Sequence, residues 1–287
     1  MKTYQALLNP LYTRGLALGG GSTLGAAHIG VLRAIEEKAI TIDCIAGTSI
    51  GSLIATLYAF GKSIDEIEQI ALHMDFQGIG SLHLSKLSLF SNKKLGTLVK
   101  KVIGDVNIED AAIPLAIVAT NIATGRQVVF KSGPAAEAIM ASTCLPGVFE
   151  PVEINGQLLV DGGLVENVPV SAIASMGANS LIAVDLNEKA KYNEPNDIFD
   201  VISNSISIAI DNNTLSRTRI ADLRIAPDLT AHSRTDTNPE SIQKMIAIGY
   251  RETLSRLDET LGFKQWLIAI SKQILRALYS PIHLSSH

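Results

Sequence analysis

Gly47-Thr48-Ser49-Ile50-Gly51 sets a serine between two glycines, at the junction of two apolar runs in CIAGTSIGSLIAT, residues 44–56. A GxSxG serine serves as a nucleophile when a strand leads into it and a helix leads away. The tight turn then holds its backbone in a strained conformation and lifts the hydroxyl outward. The flanking Gly47 and Gly51 remove side chains that would collide there. The string by itself is weak, since a strand-to-helix turn can use a serine simply to cap the helix.

Two other stretches carry compatible chemistry. Gly19-Gly20-Gly21-Ser22 lies just upstream, between an apolar strand and a helix. Successive small residues let backbone N–H groups converge, and a helix N-terminus behind them adds partial positive charge. The loop suits the oxyanion of an acyl-transfer intermediate, with Gly20, Gly21 and Ser22 as donors, or a phosphate. A nucleotide turn fits less well. No Lys follows as GxxxxGK[ST] requires, and GxGxxG read from Gly19 would need glycine at Leu24. Asp161-Gly162-Gly163 ends a strand and opens a turn, so the carboxylate can project into a site while the glycines admit close backbone approach.

A serine hydroxyl needs a base. Of the six histidines, His28 follows the glycine loop on a helix, and His73 and His83 fall in a mostly helical region. His232 is in a polar loop, and His283 and His287 are at the tail. None stands at a strand end after the serine, whereas Asp161 does. This favours a Ser–Asp dyad over a Ser–His–Asp triad. A carboxylate with an ordinary pKa near 4 is a weak base at pH 7, so burial and close contact with the hydroxyl are required.

The elements that must position these residues read as strand–turn–helix units. RGLAL is a strand, AAHIGVLRAIEEKA a helix, IDCIAG a buried strand and IGSLIATLYAF a helix. Such alternation predicts a parallel sheet with helices on its faces. Residues 63–104 read as mostly helical, with an aperiodic surface stretch, QGIGSLHLSKLSLFSNKK. PLAIVATNI and RQVVFK form a predicted hairpin, and PAAEAIMAS a short helix opened by Pro134. QLLVDGG, SLIAVDL and ADLRIAP read as strands, with a long helix over roughly 198–219 and another from about Glu240. In FKQWLIAISKQILRALYS, Trp266, Leu267, Ile270, Ile274 and Leu278 share one helical face, with Lys264, Lys272 and Arg276 off it. That segment is either a helix packed on the core or one lying on a membrane surface.

Composition sets bounds. The 287 residues are 47 % hydrophobic and 18 % charged, with a net charge of −4. Mild acidity without a Lys/Arg-rich block argues against a nucleic-acid partner. Cys44 and Cys144 sit in apolar runs and read as buried, reduced thiols, and no metal-ligand or calcium-loop pattern occurs. The N-terminal stretch is too short in apolar residues for a signal peptide, and no run of about 18 apolar residues exists to span a membrane. A cytoplasmic location follows as the expectation, with peripheral membrane contact through residues 263–287.

The chain resembles the patatin-like phospholipases, serine acyl hydrolases with a Ser–Asp dyad. The resemblance runs in order through GLALGGGSTLGAAHIGVL, GTSIGSLIA, ASTCLPGVFEPVEINGQLLVDGGLVENVPV and ADLRIAPDL, about residues 14–228. It implies a three-layer α/β/α sandwich with a mainly parallel central sheet, Ser49 as nucleophile, Asp161 as base and the glycine loop as oxyanion hole. It also implies that Pro146 and Phe149 shape the pocket and that no cofactor is needed. The resemblance further implies lipid as the substrate class, hydrolysed as by a phospholipase A or lysophospholipase. Residues 14–228 form the expected catalytic domain and 229–287 a helical extension.

Two positions depart from the family pattern. Leu24 stands where Arg or Lys usually precedes Gly25, and Ser22 where a third loop glycine is common. Backbone donors survive both changes. Loss of the basic side chain carries the expectation of a preference for neutral or single-chain esters. The alternatives are a catalytically weak lipid-binding or regulatory protein that keeps the fold, and a nucleotide-binding protein that uses the glycine loop.

Overall fold

A computed structural model describes residues 13–73, 81–82, 90–192, 194–195 and 198–278, with 81, 82, 90, 199, 200 and 260–278 as backbone alone. Ten strands appear among these residues: β1 (Arg14–Leu18), β2 (Cys44–Thr48), β3 (Ser81–Leu82), β4 (Phe90–Ser91), β5 (Leu115–Asn121), β6 (Arg126–Phe130), β7 (Val152–Ile154), β8 (Gln157–Asp161), β9 (Ser180–Val184) and β10 (Leu223–Ile225). The helices are α1 (Ala26–Glu37), α2 (Ile50–Ala59), α3 (Ile64–His73), α4 (Lys93–Ile103), α5 (Ala135–Ser142), α6 (Gly163–Glu166), α7 (Val170–Ser175), α8 (Ile198–Arg217) and α9 (Pro239–Leu278).

The main sheet runs β10-β9-β1-β2-β5-β8-β7, with β6 also on β5. The five strands from β10 to β5 pair in parallel, and β6, β7 and β8 join antiparallel. The parallel strands are buried on both faces, so they read as unbroken apolar runs. Their alternate residues still sort by size. Leu16, Leu18, Ile45, Ile117, Ile182 and Val184 face the larger core, which α1, α2, α5 and α9 help to build. Ala17, Ala46, Ala116 and Ala183 face the other side, where short α7 packs close with Ala172 and Ile173. Helices on both faces complete the expected α/β/α sandwich.

The 115–130 hairpin and the α5 helix form where the sequence places them. The long helix after the polar loop ends at Arg217, and a 3-10 turn (Thr218–Ile220) follows. The aperiodic stretch 77–94 lies mostly outside the described residues, although α4 begins at Lys93. Helix α9 lies on α1, with Ile242, Met245, Ile246 and Leu257 buried in the larger core. Its continuation through Trp266, Leu267, Ile270, Ile274 and Leu278 is backbone only, so that face lies outside the described side chains.

Candidate active site

Ser49 occupies a strained turn between β2 and α2, with φ 53° and ψ −129°. A non-glycine residue at positive φ costs on the order of 1–3 kcal/mol and persists only where its surroundings enforce it. Here they do. A Cβ on Gly47 would lie 2.3 Å from the Gly51 carbonyl oxygen, and one on Gly51 would lie 2.2 Å from that of Leu18. The Ser49 N–H donates to Ser142 Oγ at 2.9 Å, and Ser142 Oγ donates in turn to the Val118 carbonyl at 2.7 Å.

Asp161 reaches this turn through strand register. Thr48, the last residue of β2, pairs with Val118 of β5. At the next position along β5, Ala119 pairs with Asp161, the last residue of β8. Strand β8 therefore takes over the edge of β5 where β2 leaves it to form the turn. The Ser49 side chain lies beside the Asp161 carboxylate, near enough to lower its pKa, and both line one cavity. Gly163 N–H donates to Asp161 Oδ1 at 2.8 Å. Thr120 Oγ1 donates to the Asp161 carbonyl at 2.8 Å, and Asp161 N–H donates to the Cys144 carbonyl at 2.8 Å. Asp161 is only 6 % exposed. Burial pushes its pKa up to about 6, against the lowering effect of the neighbouring Ser49 side chain and the Gly163 N–H.

The glycine loop is held from several sides. Gly20 N–H donates to both the carbonyl oxygen and Oδ1 of Asn167, at 3.3 and 3.1 Å. Asn187 Nδ2 donates to the Gly20 carbonyl at 2.9 Å, and His28 Nε2 donates to that of Gly19 at 2.8 Å. Gly20 thus anchors the loop instead of offering a free donor, which narrows the expected donor set to Gly21 and Ser22. Neither of those N–H groups has a hydrogen-bond partner among the described residues. Ser22 has φ 55°, which accounts for the glycine common at that place. Leu24 points away from the site, 4 % exposed in the larger core, and so cannot contact a headgroup directly.

A cavity of about 300 Å³ opens over Ser49, Asp161 and the loop from Gly20 to Ser22. Ile50, Leu53, Leu95, Leu145, Phe149 and Ile210 give it an apolar wall. Phe149 is among the lining residues and Pro146 is not. Of the described histidines His28, His73 and His232, none lines the cavity, and burial lowers the pKa of His28 to about 4. Cys44 and Cys144 are free and buried, and burial raises their pKa values to about 11 and about 12. Among the described residues no group of three or more His, Cys, Asp or Glu converges as metal ligands would.

Several residues that sequence reasoning missed complete the site. Arg234 Nη2 donates to Asn187 Oδ1 and to Asp211 Oδ2, each at 3.0 Å, and its Nη1 donates to Ser207 Oγ at 2.6 Å. Thr23 Oγ1 donates to the Ser233 carbonyl at 3.1 Å, and Thr23 N–H to that of Arg234 at 3.4 Å. Loop 233–235 thereby straps the glycine loop. Asn167 and Ser142 lay within motifs already singled out, LVENVPV and ASTCLPGVF. Nothing local marks Asn187 or Arg234.

Known proteins agree with this architecture. The family model for patatin-like phospholipase matches residues 16–174. An NTE family protein of Mycobacterium tuberculosis is 38 % identical over 188 residues, covering 63 % of this chain and 52 % of that protein. Lysophospholipase NTE1 of Mycosarcoma maydis is 40 % identical over 180 residues, covering 60 % of this chain and 10 % of that protein. The chain thus spans about half the length of the mycobacterial relatives it matches, and far less of the fungal ones. Among solved structures, VipD from Legionella pneumophila superposes with a TM-score of 0.53 at 16 % identity, over 87 % of this chain and 67 % of that one. That likeness concerns the fold. With its family model covering more than half of the sequence, the chain belongs to the patatin-like phospholipase family.

Proposed function

We propose that this chain hydrolyses acyl esters of lipids, in the manner of a phospholipase A or lysophospholipase, through Ser49 and Asp161. The observation that carries the reading is the Ser49 side chain set beside a buried carboxylate in one apolar cavity. The family membership and the lysophospholipase named among the relatives support lipid as the substrate class.

The chemistry follows from the groups present. Asp161 accepts the hydroxyl proton as Ser49 Oγ bonds to the ester carbonyl carbon. The carbonyl electron pair moves onto oxygen, and the resulting oxyanion is met by the N–H groups of Gly21 and Ser22. The intermediate collapses to an acyl-serine. The leaving alcohol or lysolipid departs with the proton held by Asp161. Water then gives a proton to Asp161 and its hydroxide adds to the acyl carbonyl. Collapse returns the proton to Ser49 Oγ and frees the fatty acid. A base with pKa near 6 suits this exchange better than an ordinary aspartate, since it is ionised at neutral pH yet holds a proton more readily.

The test is hydrolysis of lyso-, diacyl- and neutral lipids by wild type, Ser49→Ala and Asp161→Asn. Wild type should release fatty acid from at least one class, and each variant should lose at least about a thousandfold of that rate. Lipid binding with no release of fatty acid from any class would leave a lipid-binding module instead.

A further inference from the structure

Large apolar side chains are exposed at few places among the described residues, and most of those places share one helix. Ile198, Val201, Ile202, Ile208 and Leu215 lie on α8, and Ile220, 62 % exposed, lies just beyond its end. Only Tyr192, in the preceding loop, and Ile122 lie elsewhere. At 3.6 residues per turn the five α8 side chains form one stripe, and Ser205, Ala209 and Asn212 fall within it. The opposite face carries Ser203, Ser207, Ile210 and Asp211, which line the cavity over Ser49. No ionisable residue occurs from Val201 to Ile210. Asp211 turns inward to Arg234, and Asp200, whose side chain is not described, falls off the stripe by helical spacing. At the C-terminal end Arg217 and Arg219 are exposed, with no ion-pair partner among the described residues. Arg217 Nε donates only to Asn213 Oδ1.

We propose that α8 docks on a lipid surface, with its aliphatic stripe among acyl chains and Arg217 and Arg219 at anionic headgroups. Three observations select lipid over another protein. The stripe carries no charge that a bilayer would reject, and the exposed cations Arg217 and Arg219 lie off it, as the Lys and Arg of interfacial helices lie off the apolar face. The helix, about 10 Å thick, is itself a wall of the cavity. A surface lying on its outer face therefore lies within one helix of the serine. This inference rests on the lipid-ester reading for its choice of occupant, but it concerns a face that takes no part in the chemistry.

The experiment sediments the full chain with vesicles of phosphatidylcholine alone, and of phosphatidylcholine mixed with phosphatidylserine. In parallel, hydrolysis of a soluble short-chain nitrophenyl ester reports folding and the intact site. Ile202→Ser combined with Ile208→Ser should lower the vesicle partition coefficient about tenfold or more on both lipids. Arg217→Gln combined with Arg219→Gln should lower it only where phosphatidylserine is present. Both double variants should hydrolyse the soluble ester as wild type does, and Ser49→Ala should bind vesicles as wild type does. Wild type that ignores vesicles, or a serine double variant that binds them undiminished, overturns the proposal. A wild-type dimer that the serine pair converts to a monomer, with vesicle binding unchanged, shows that the face joins copies instead. Binding through α8 without hydrolysis of any ester would sink the hydrolase reading and leave the docking surface standing.

Discussion

Ser49 and the Asp161 carboxylate meet at one cavity, at the point where β2 leaves β5 and antiparallel β8 replaces it. Two residues far apart in sequence are thus placed by adjacent register positions on one strand, Val118 and Ala119. The pair stands at the ends of two buried strands, Asp161 closing β8 and Ser49 in the tight turn that follows β2. That rigidity matters, since a hydroxyl and a weak base exchange a proton only when held in contact.

Activity should rise with pH along a single limb centred near the pKa of Asp161, about 6. Below that value the carboxyl is protonated and cannot accept the serine proton; well above it the rate should level off. The other ionisable groups at the cavity, Asp211 and Arg234, pair with each other. Initial rates on a soluble ester from pH 4.5 to 8.5 check this. A rate that falls as pH rises through this window contradicts Asp161 as the base.

The same burial makes Asp161 a burden on stability at neutral pH. Its folded pKa, about 6, lies above the ordinary value of 3.8. The proton is therefore bound more tightly in the folded state. The stabilisation this gives is complete below about pH 4 and is lost as pH rises through 6. Relative to wild type, Asp161→Asn should gain stability between pH 4 and 6 and hold that gain above, by about 2–3 kcal/mol. Urea unfolding of both proteins at pH 4 and pH 8 measures it. Taking the difference between the two proteins cancels the opposite trend from His28, whose lowered pKa weakens the fold as pH falls from about 6.5 toward 4.

Arg234 holds Asn187, and Asn187 holds the Gly20 carbonyl, so Arg234 acts on the loop from a distance. Arg234→Ala should lower kcat about tenfold or more with little change in KM for a small neutral ester, because the loop donors act on the oxyanion. Arg234→Lys should restore part of it. Steady-state kinetics on one soluble ester decide the point, and an unchanged kcat for the alanine variant contradicts the strap.

Leu24→Arg should act on folding rather than on headgroup choice. The side chain is buried in the larger core, so an arginine there must bury an unpaired charge or displace its neighbours. A loss of about 3 kcal/mol or more is expected, with the ratio of anionic to neutral lipid hydrolysis unchanged in the folded fraction. Thermal unfolding together with the two hydrolysis rates separates the effects.

Much of this was legible in the sequence because the signals are local. The strand, the Gly47 and Gly51 flanks and the following helix all lie within a few residues of Ser49. The alternation of strand and helix signals from β1 through α2 announced a parallel sheet. The antiparallel return of β8 along β5 was not legible, since register between distant strands depends on packing that no short window contains. Gly20 illustrates the same limit. Its place in a glycine run marks a donor, but only the fold brings Asn167 against it and uses that donor up. Leu24 looked like a change at the site because it stands where the family pattern has Arg or Lys before Gly25. The 3-10 turn over Ser22–Gly25 instead directs it into the core. Arg234 contacts Asn187 from 47 residues away and could not have been read from either segment.

The most direct test of the central claim is a covalent one. Wild type, Ser49→Ala and Asp161→Asn are treated with a fluorophosphonate at pH 8, and the adduct is located by peptide mass spectrometry. The account expects one adduct on the peptide containing Ser49 in wild type, none in Ser49→Ala, and labelling slowed at least about a hundredfold in Asp161→Asn. A wild-type adduct on another residue, or lipid hydrolysis that survives intact in Ser49→Ala, would contradict it.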